Sequence, residues 1–392
     1  MKAIRKIQEF IADSRAVGIV LMGCTILSLA LANSPAAGAW LGWWNLSPGT
    51  GHHWTIGPLH LPNSISDWLN DAGMSVFFLM AGMEIKRELT SGELSTFRQA
   101  LLPAAAAIGG MLLPAALFTL FTRGTTYAHG WGIPMATDIA FSLGVASILG
   151  SRVPLSLKIF LTALAIIDDL GAIIMIALFY SQGISLYYLL AGLGIWGCLL
   201  ALNRFKAPFG WVQYLLGLAL WYCIFNSGLH ATVAGVLFAL VVPTSKLQTW
   251  EHRLRIPVNF VIIPLFALAG TAIHAPTGGW TLFKTPLAMG ILSGLLIGKT
   301  LGIAGTVYLF VRLGLAALPT GSNWRQVIGI GLLAGIGFTM SIFITLLAFD
   351  RPDVQDTAKI AVLAASLLAI VGGLAWFKWI ARNNTSYESI LH

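Results

Sequence analysis

Hydrophobic residues run along this chain in long blocks, not in the alternating or 3.6-residue rhythm of half-buried elements. Twelve blocks stand out, at 15–34, 66–89, 97–122, 128–149, 153–179, 185–203, 209–224, 227–243, 254–272, 287–311, 325–349 and 357–381. A hydrocarbon-crossing helix needs about 20 apolar residues, so the pattern predicts an all-α polytopic membrane protein with twelve transmembrane helices. Residues 1–15 mix acids and bases at amphipathic spacing, which predicts an interfacial helix entering an uncleaved first span. Ala30-Leu31-Ala32 keeps a signal-peptide reading open. The longest polar interval, 40–63, carries two short aromatic and β-branched runs around Ser-Pro-Gly-Thr-Gly and predicts a hairpin outside the membrane. A lone hairpin is marginal in water, so it is expected to pair with a second copy or to lie on the membrane. His52 and His53 within it lack ligand spacing.

Composition agrees with the blocks. The 392 residues are 57% hydrophobic and only 10% charged, against about 25% charged in soluble domains, and no polar stretch is long enough for a separate domain. One membrane domain over 1–392 is expected. The net charge of +8 is accounted for without nucleic acid. With the N-terminus inside, 18 of the 23 basic residues fall at cytoplasmic helix ends, as the positive-inside rule requires, and both termini are cytoplasmic. Cys24, Cys198 and Cys223 lie inside apolar blocks and suggest neither disulfide nor metal.

Against this background a few polar residues at mid-depth carry the chemistry. Asp168 and Asp169 sit side by side near the centre of 153–179. Burying one ionisable group there costs from about 2.5 to more than 10 kcal/mol, and two adjacent carboxylates also repel. One acid would suffice to pair a lysine, so the pair points to a site for cations or protons. Neighbours on a helix diverge by about 100°, which lets one acid face Lys299 while the other faces water. Lys299 lies mid-span in 287–311, beside Gly290, Gly294, Gly298 and Gly302, a small-residue ridge that admits a close helix neighbour. Pro134, Thr137 and Asp138 interrupt 128–149, and Gly335, Gly337, Thr339 and Ser341 interrupt 325–349. Such interruptions suggest discontinuous helices whose free ends act as partial charges at the midplane. Asp138 would offset the two N-terminal tips, and Lys299 either the C-terminal tips or a carboxylate. For Asp138 and Lys299 a purely structural counter-charge is as good a reading as a transport role. Two charged clusters at helix ends, Glu84 with Arg87 and Glu88, and Glu251 with His252, read either as membrane-boundary caps or as a pH-sensitive funnel mouth.

Two rival classes deserve a place beside ion exchange. An intramembrane aspartyl hydrolase needs facing acids from separate helices, whereas these are sequence neighbours. A cation channel would use the acids as a selectivity ring.

Ile133-Pro-Met-Ala-Thr-Asp-Ile-Ala-Phe141, Ala165-Ile-Ile-Asp-Asp-Leu-Gly171, Gly298-Lys299 and Gly335-Ile-Gly-Phe-Thr-Met-Ser341 together resemble the signatures of the NhaA-type sodium/proton antiporters, in order and over nearly the whole chain. The resemblance implies a bacterial inner-membrane secondary transporter, not an enzyme, that exchanges sodium or lithium for protons, electrogenically and under pH control, without a cofactor. It implies inverted repeats of spans 3–5 and 10–12, with spans 4 and 11 broken and crossing. It further implies that Asp168 and Asp169 bind the ion, that Lys299 pairs with Asp168, and that Thr137, Asp138 and Thr339 support the crossing. Glu84, Arg87, Glu88, His230, Glu251 and His252 match the pH-sensing positions, and a homodimer joined partly through 40–63 is expected. Two departures stand out: Arg255 replaces a usual histidine, and Leu268 replaces a frequent asparagine.

Overall fold

The computed structural model describes residues 14–46, 54–56, 59–181, 183–205, 207–274 and 279–388. The expected interfacial helix falls almost wholly outside these residues, as do His52 and His53. The described chain is helical apart from one short hairpin. Among the described residues eight helices are long and apolar enough to cross a membrane, or nine if the bent pair Trp324–Ala334 and Phe338–Ala348 counts as one span. Three expected spans fall short of that length or composition. Met74–Ser91 carries Glu84, Lys86, Arg87 and Glu88 in its second half, while Trp211–Asn226 and Thr232–Val241 have 16 and 10 residues.

The contacts divide the chain into two compact units. The first comprises Met1–Met22, Glu93–Ala172 and Ala275–His392. Within it Phe97–Thr122 packs along Pro286–Ser293, the π turn Gly294–Gly298 and Lys299–Arg312. The glycine ridge makes this approach possible. A Cβ on Gly302 would overlap the Gly109 carbonyl oxygen, and one on Gly298 would come within 2.8 Å of Pro114 Cα. Pro103 and Pro114 lie inside Phe97–Thr122 without ending it, as spanning helices allow when neighbours satisfy the freed backbone groups. Pro352–Glu388 packs on Pro286–Ser293 and on both halves of the bent pair. Large apolar side chains such as Leu112, Leu120 and Leu301 point outward, which in water would be a liability and in lipid is the expected face.

The second unit comprises Gly23–Gly92 and Ile173–His274. Met74–Ser91 and Thr232–Val241 meet through Gly82 and Gly235, where a Cβ on Gly235 would overlap the Ser75 carbonyl oxygen. Met83, Leu199, Leu220, Ile224 and Phe238 fill the core beside them. The hairpin pairs Trp54–Ile56 antiparallel with Leu59–Leu61, so both strands lie after the Ser-Pro-Gly-Thr-Gly stretch. The apolar run before that stretch, free of β-branched residues, takes the helix Ala37–Trp44 instead. The expected span 254–272 belongs to a longer helix, Thr244–Gly270. Its polar first turns are held because Leu247 is buried in the unit's core, and they present Glu251 on a helix face.

Candidate functional site

Two chain breaks lie against each other in the first unit. One separates the 3-10 segment Ala128–Met135 from the helix Ile139–Ile148, and the other separates Trp324–Ala334 from Phe338–Ala348 with a 46° bend. A break leaves the last carbonyls of one half and the first N–H groups of the next without helical partners. Here each break satisfies the other. The Asp138 N–H donates to the Ile336 carbonyl at 2.7 Å. Asp138 Oδ1 accepts from the Phe141 N–H at 3.0 Å and so caps its own helix. Its Oδ2 accepts from the Thr339 N–H at 3.1 Å and from the Thr339 hydroxyl. One buried carboxylate therefore serves two helix N-termini, where partial positive charge accumulates. The carbonyl ends are met by hydroxyls in a reciprocal manner. Ser142 donates to Leu333 at 2.9 Å, and Ser341 donates to Ile133 at 2.7 Å.

The ionisable residues join this arrangement through Thr137. Its hydroxyl lies 2.7 Å from Asp168 Oδ2 and 2.9 Å from the Ala334 carbonyl, and its single proton serves one acceptor at a time. Lys299 Nζ donates to the same Asp168 Oδ2, with both side chains 0% exposed. Asp168 Oδ1, also buried, accepts no hydrogen bond from the described residues. Asp169 is buried as well, at 2% exposure, on the next helical position. Lys299 directly follows the π turn Gly294–Gly298, a local widening of the helix of the kind that is frequent at functional sites. A buried lysine held by a buried carboxylate, with a second carboxylate adjacent, gathers three ionisable groups where burial makes charge costly.

The second unit gathers another cluster. Arg87 Nε lies 3.0 Å from Glu251 Oε2, and its Nη2 lies 3.0 Å from Glu88 and 3.9 Å from Glu84. One cation thus faces three carboxylates. Neither histidine expected among the pH-sensing positions is hydrogen-bonded or ion-paired to Arg87 or its three carboxylates among the described residues. His252 is exposed and makes no hydrogen bond or ion pair among the described residues, and His230 Nε2 lies 2.9 Å from the Tyr180 carbonyl oxygen.

The family profile described as Na+/H+ antiporter 1 matches residues 8–377. This chain belongs to that antiporter family. It is 45% identical over 397 residues to the Na(+)/H(+) antiporter NhaA of Cytophaga hutchinsonii, covering 99% of both chains. It is 47% identical to the NhaA of Dechloromonas aromatica, with 98% of both covered, and 44% identical to that of Rhizobium etli, with 94% of both covered.

Thr137, Asp138, Asp168, Lys299 and Thr339 lie together in buried contacts around the two breaks. Sequence reasoning passed over Ser142. It occupies the position four residues beyond Asp138, one turn into the helix that Asp138 caps, where a hydroxyl can reach across to a neighbouring helix end. The π turn before Lys299 was also missed, because a shift to i→i+5 bonding has no residue signature.

Proposed function

We propose that this protein is a secondary transporter exchanging sodium, or lithium, for protons across the bacterial inner membrane. The observation that carries the reading is the buried Lys299–Asp168 ion pair tied by Thr137 to the end of a broken helix. Asp168 and Asp169 are the ion-binding carboxylates. Protonated, they offer a cation no charge; ionised, they offer hard oxygen ligands of the kind alkali ions take. Protons and sodium therefore compete for one place, and competition at a site that opens alternately to each side is antiport. Lys299 restrains Asp168 while no sodium is present and must release it when sodium takes that oxygen.

On this reading the two breaks are crossing helices inside a twelve-span fold with inverted repeats, and Thr137, Asp138 and Thr339 hold the crossing. Both termini are cytoplasmic. The Arg87 cluster with Glu84, Glu88 and Glu251 adjusts the exchange to pH, with His230 and His252 as further contributors, and the protein works as a homodimer. Lysine on Asp168 argues against the aspartyl-hydrolase alternative, which needs a second carboxylate there to share its proton.

Everted membrane vesicles test the reading. Added sodium is expected to collapse an established pH gradient in the wild type, while Asp169→Asn, present in the membrane at the normal amount, leaves the gradient intact. A wild type without any sodium response would refute antiport.

A further inference from the structure

We propose that Ser366 is a positioning residue for the exchange site, a proposal that rests on the antiport reading above. The helix Phe338–Ala348 starts at the break, and its own ladder begins only with the Ser341 N–H bonding the Gly337 carbonyl at 2.8 Å. The N–H groups of Phe338 and Thr339 therefore need partners from outside the helix. Thr339 finds Asp138 Oδ2. Phe338 finds Ser366, whose Oγ accepts at 3.1 Å in a buried setting. The other ties to this break come from Thr137, Asp138 and Ser142, all on the opposing broken segment. Ser366 belongs to a third element, Pro352–Glu388.

The surroundings make a packing role a poor explanation for this serine. It lies among Ala361, Val362, Ala365 and Ala369, all fully buried, on a helix stretch where alanine fits and an oxygen needs a reason. The reason is the Phe338 N–H. From there an unbroken series of buried contacts leads through Thr339 to Asp138, and from the adjacent Thr137 to Asp168. Ser366 fixes the near end of that series against a helix outside the crossing. Without it, the unmet N–H competes with Thr339 for Asp138 and lets the tip shift, so the Asp168 carboxylate is presented to sodium in a poorer position.

Sodium-concentration series in everted vesicles test this with Ser366→Ala, Ser366→Cys and Ser366→Thr. Ser366→Ala is expected to raise the half-saturating sodium concentration about fivefold, the factor one neutral hydrogen bond represents, with the maximal rate changed much less. Ser366→Cys, nearly the size of serine but a weak acceptor, should behave like Ser366→Ala. Ser366→Thr, which keeps the oxygen, should return the constant toward wild type. Half-saturation unchanged in both Ser366→Ala and Ser366→Cys would overturn the proposal, whether or not the amount in the membrane falls. A wild type silent to sodium in the same preparation would instead overturn the antiport reading.

Discussion

Removing one member of the Lys299–Asp168 pair should damage the protein more than removing both charges together. Two unit charges at 4 Å attract by about 4 kcal/mol at an effective dielectric of 20, and these two are in contact with 0% exposure. Taking away one partner leaves the other buried and unpaired, which costs about 3–5 kcal/mol. At roughly 2 °C per kcal/mol for a large chain, Lys299→Ala should lower the apparent melting temperature by about 5–10 °C. Asp168→Asn should do comparable harm, because it strands the ammonium instead. The double variant Asp168→Asn with Lys299→Gln keeps polar groups that can bond each other and Thr137, and it buries no charge. Its melting temperature, read by size-exclusion of heated, detergent-purified protein, should lie above both single variants. A double variant whose loss equals the sum of the two single losses would show the charges to be uncoupled and refute the reasoning. Stability is the readout because it is independent of whether transport survives.

Three further outcomes follow from other parts of the site and fold. Thr137→Val keeps the shape but removes the hydroxyl shared by Asp168 and Ala334. A buried hydrogen bond to a charged group contributes about 1.5–3 kcal/mol, so half-saturating sodium in vesicles should rise at least about tenfold. Gly302→Ala should cut the folded yield in membranes, since its Cβ would overlap the Gly109 carbonyl and overpacking costs about 1–3 kcal/mol. Gly305→Ala, one turn away with nothing within 4 Å of its Cβ, should leave the yield unchanged in the same expression assay. Asp169→Asn should keep the melting temperature near wild type yet abolish sodium-driven proton flux, and a folded Asp169→Asn protein that still exchanges sodium would remove Asp169 from the site.

The sequence disclosed the broken character of 325–349 because glycine and hydroxyl residues replaced the apolar side chains that a continuous span would carry. It disclosed Asp168 and Asp169 because hydrocarbon makes any charge conspicuous. For Lys299 it left two partners open, the C-terminal tips or a carboxylate; in the structure Lys299 bonds Asp168, while the tips are met by the neutral hydroxyls of Thr137, Ser142 and Ser341. What it hid follows from physics too. Ser366 looks like any small residue in an apolar helix, since its acceptor role depends on a backbone N–H 28 positions away. The start of Thr244–Gly270 was invisible to hydropathy because polar residues form helix as readily outside the membrane as apolar ones do within it. His230, put with the pH-sensing positions by resemblance alone, lies against the Tyr180 carbonyl oxygen, and His252 is exposed, with no hydrogen bond or ion pair among the described residues.

The charge count at the breaks bears on how many protons each sodium displaces. The carboxylate of Asp138 is matched by two helix N-termini, each equivalent to about half a positive charge, and it has no contact with Lys299. Lys299 matches Asp168. Asp169, buried on the next helical position, is the second carboxylate of the proposed ion site and can take one monovalent cation or one proton. A second proton becomes available only if sodium also draws on Asp168 and breaks its pair with Lys299, because an unpaired buried charge is costly. Cation binding to protonatable ligands releases protons, so purified wild-type protein should release about two per sodium bound, one through Asp169 and one through the broken pair. Asp168→Asn abolishes the pair and should reduce the release to about one. Two protons still released by Asp168→Asn would place the second proton outside the Lys299–Asp168 pair and make this count of charges wrong.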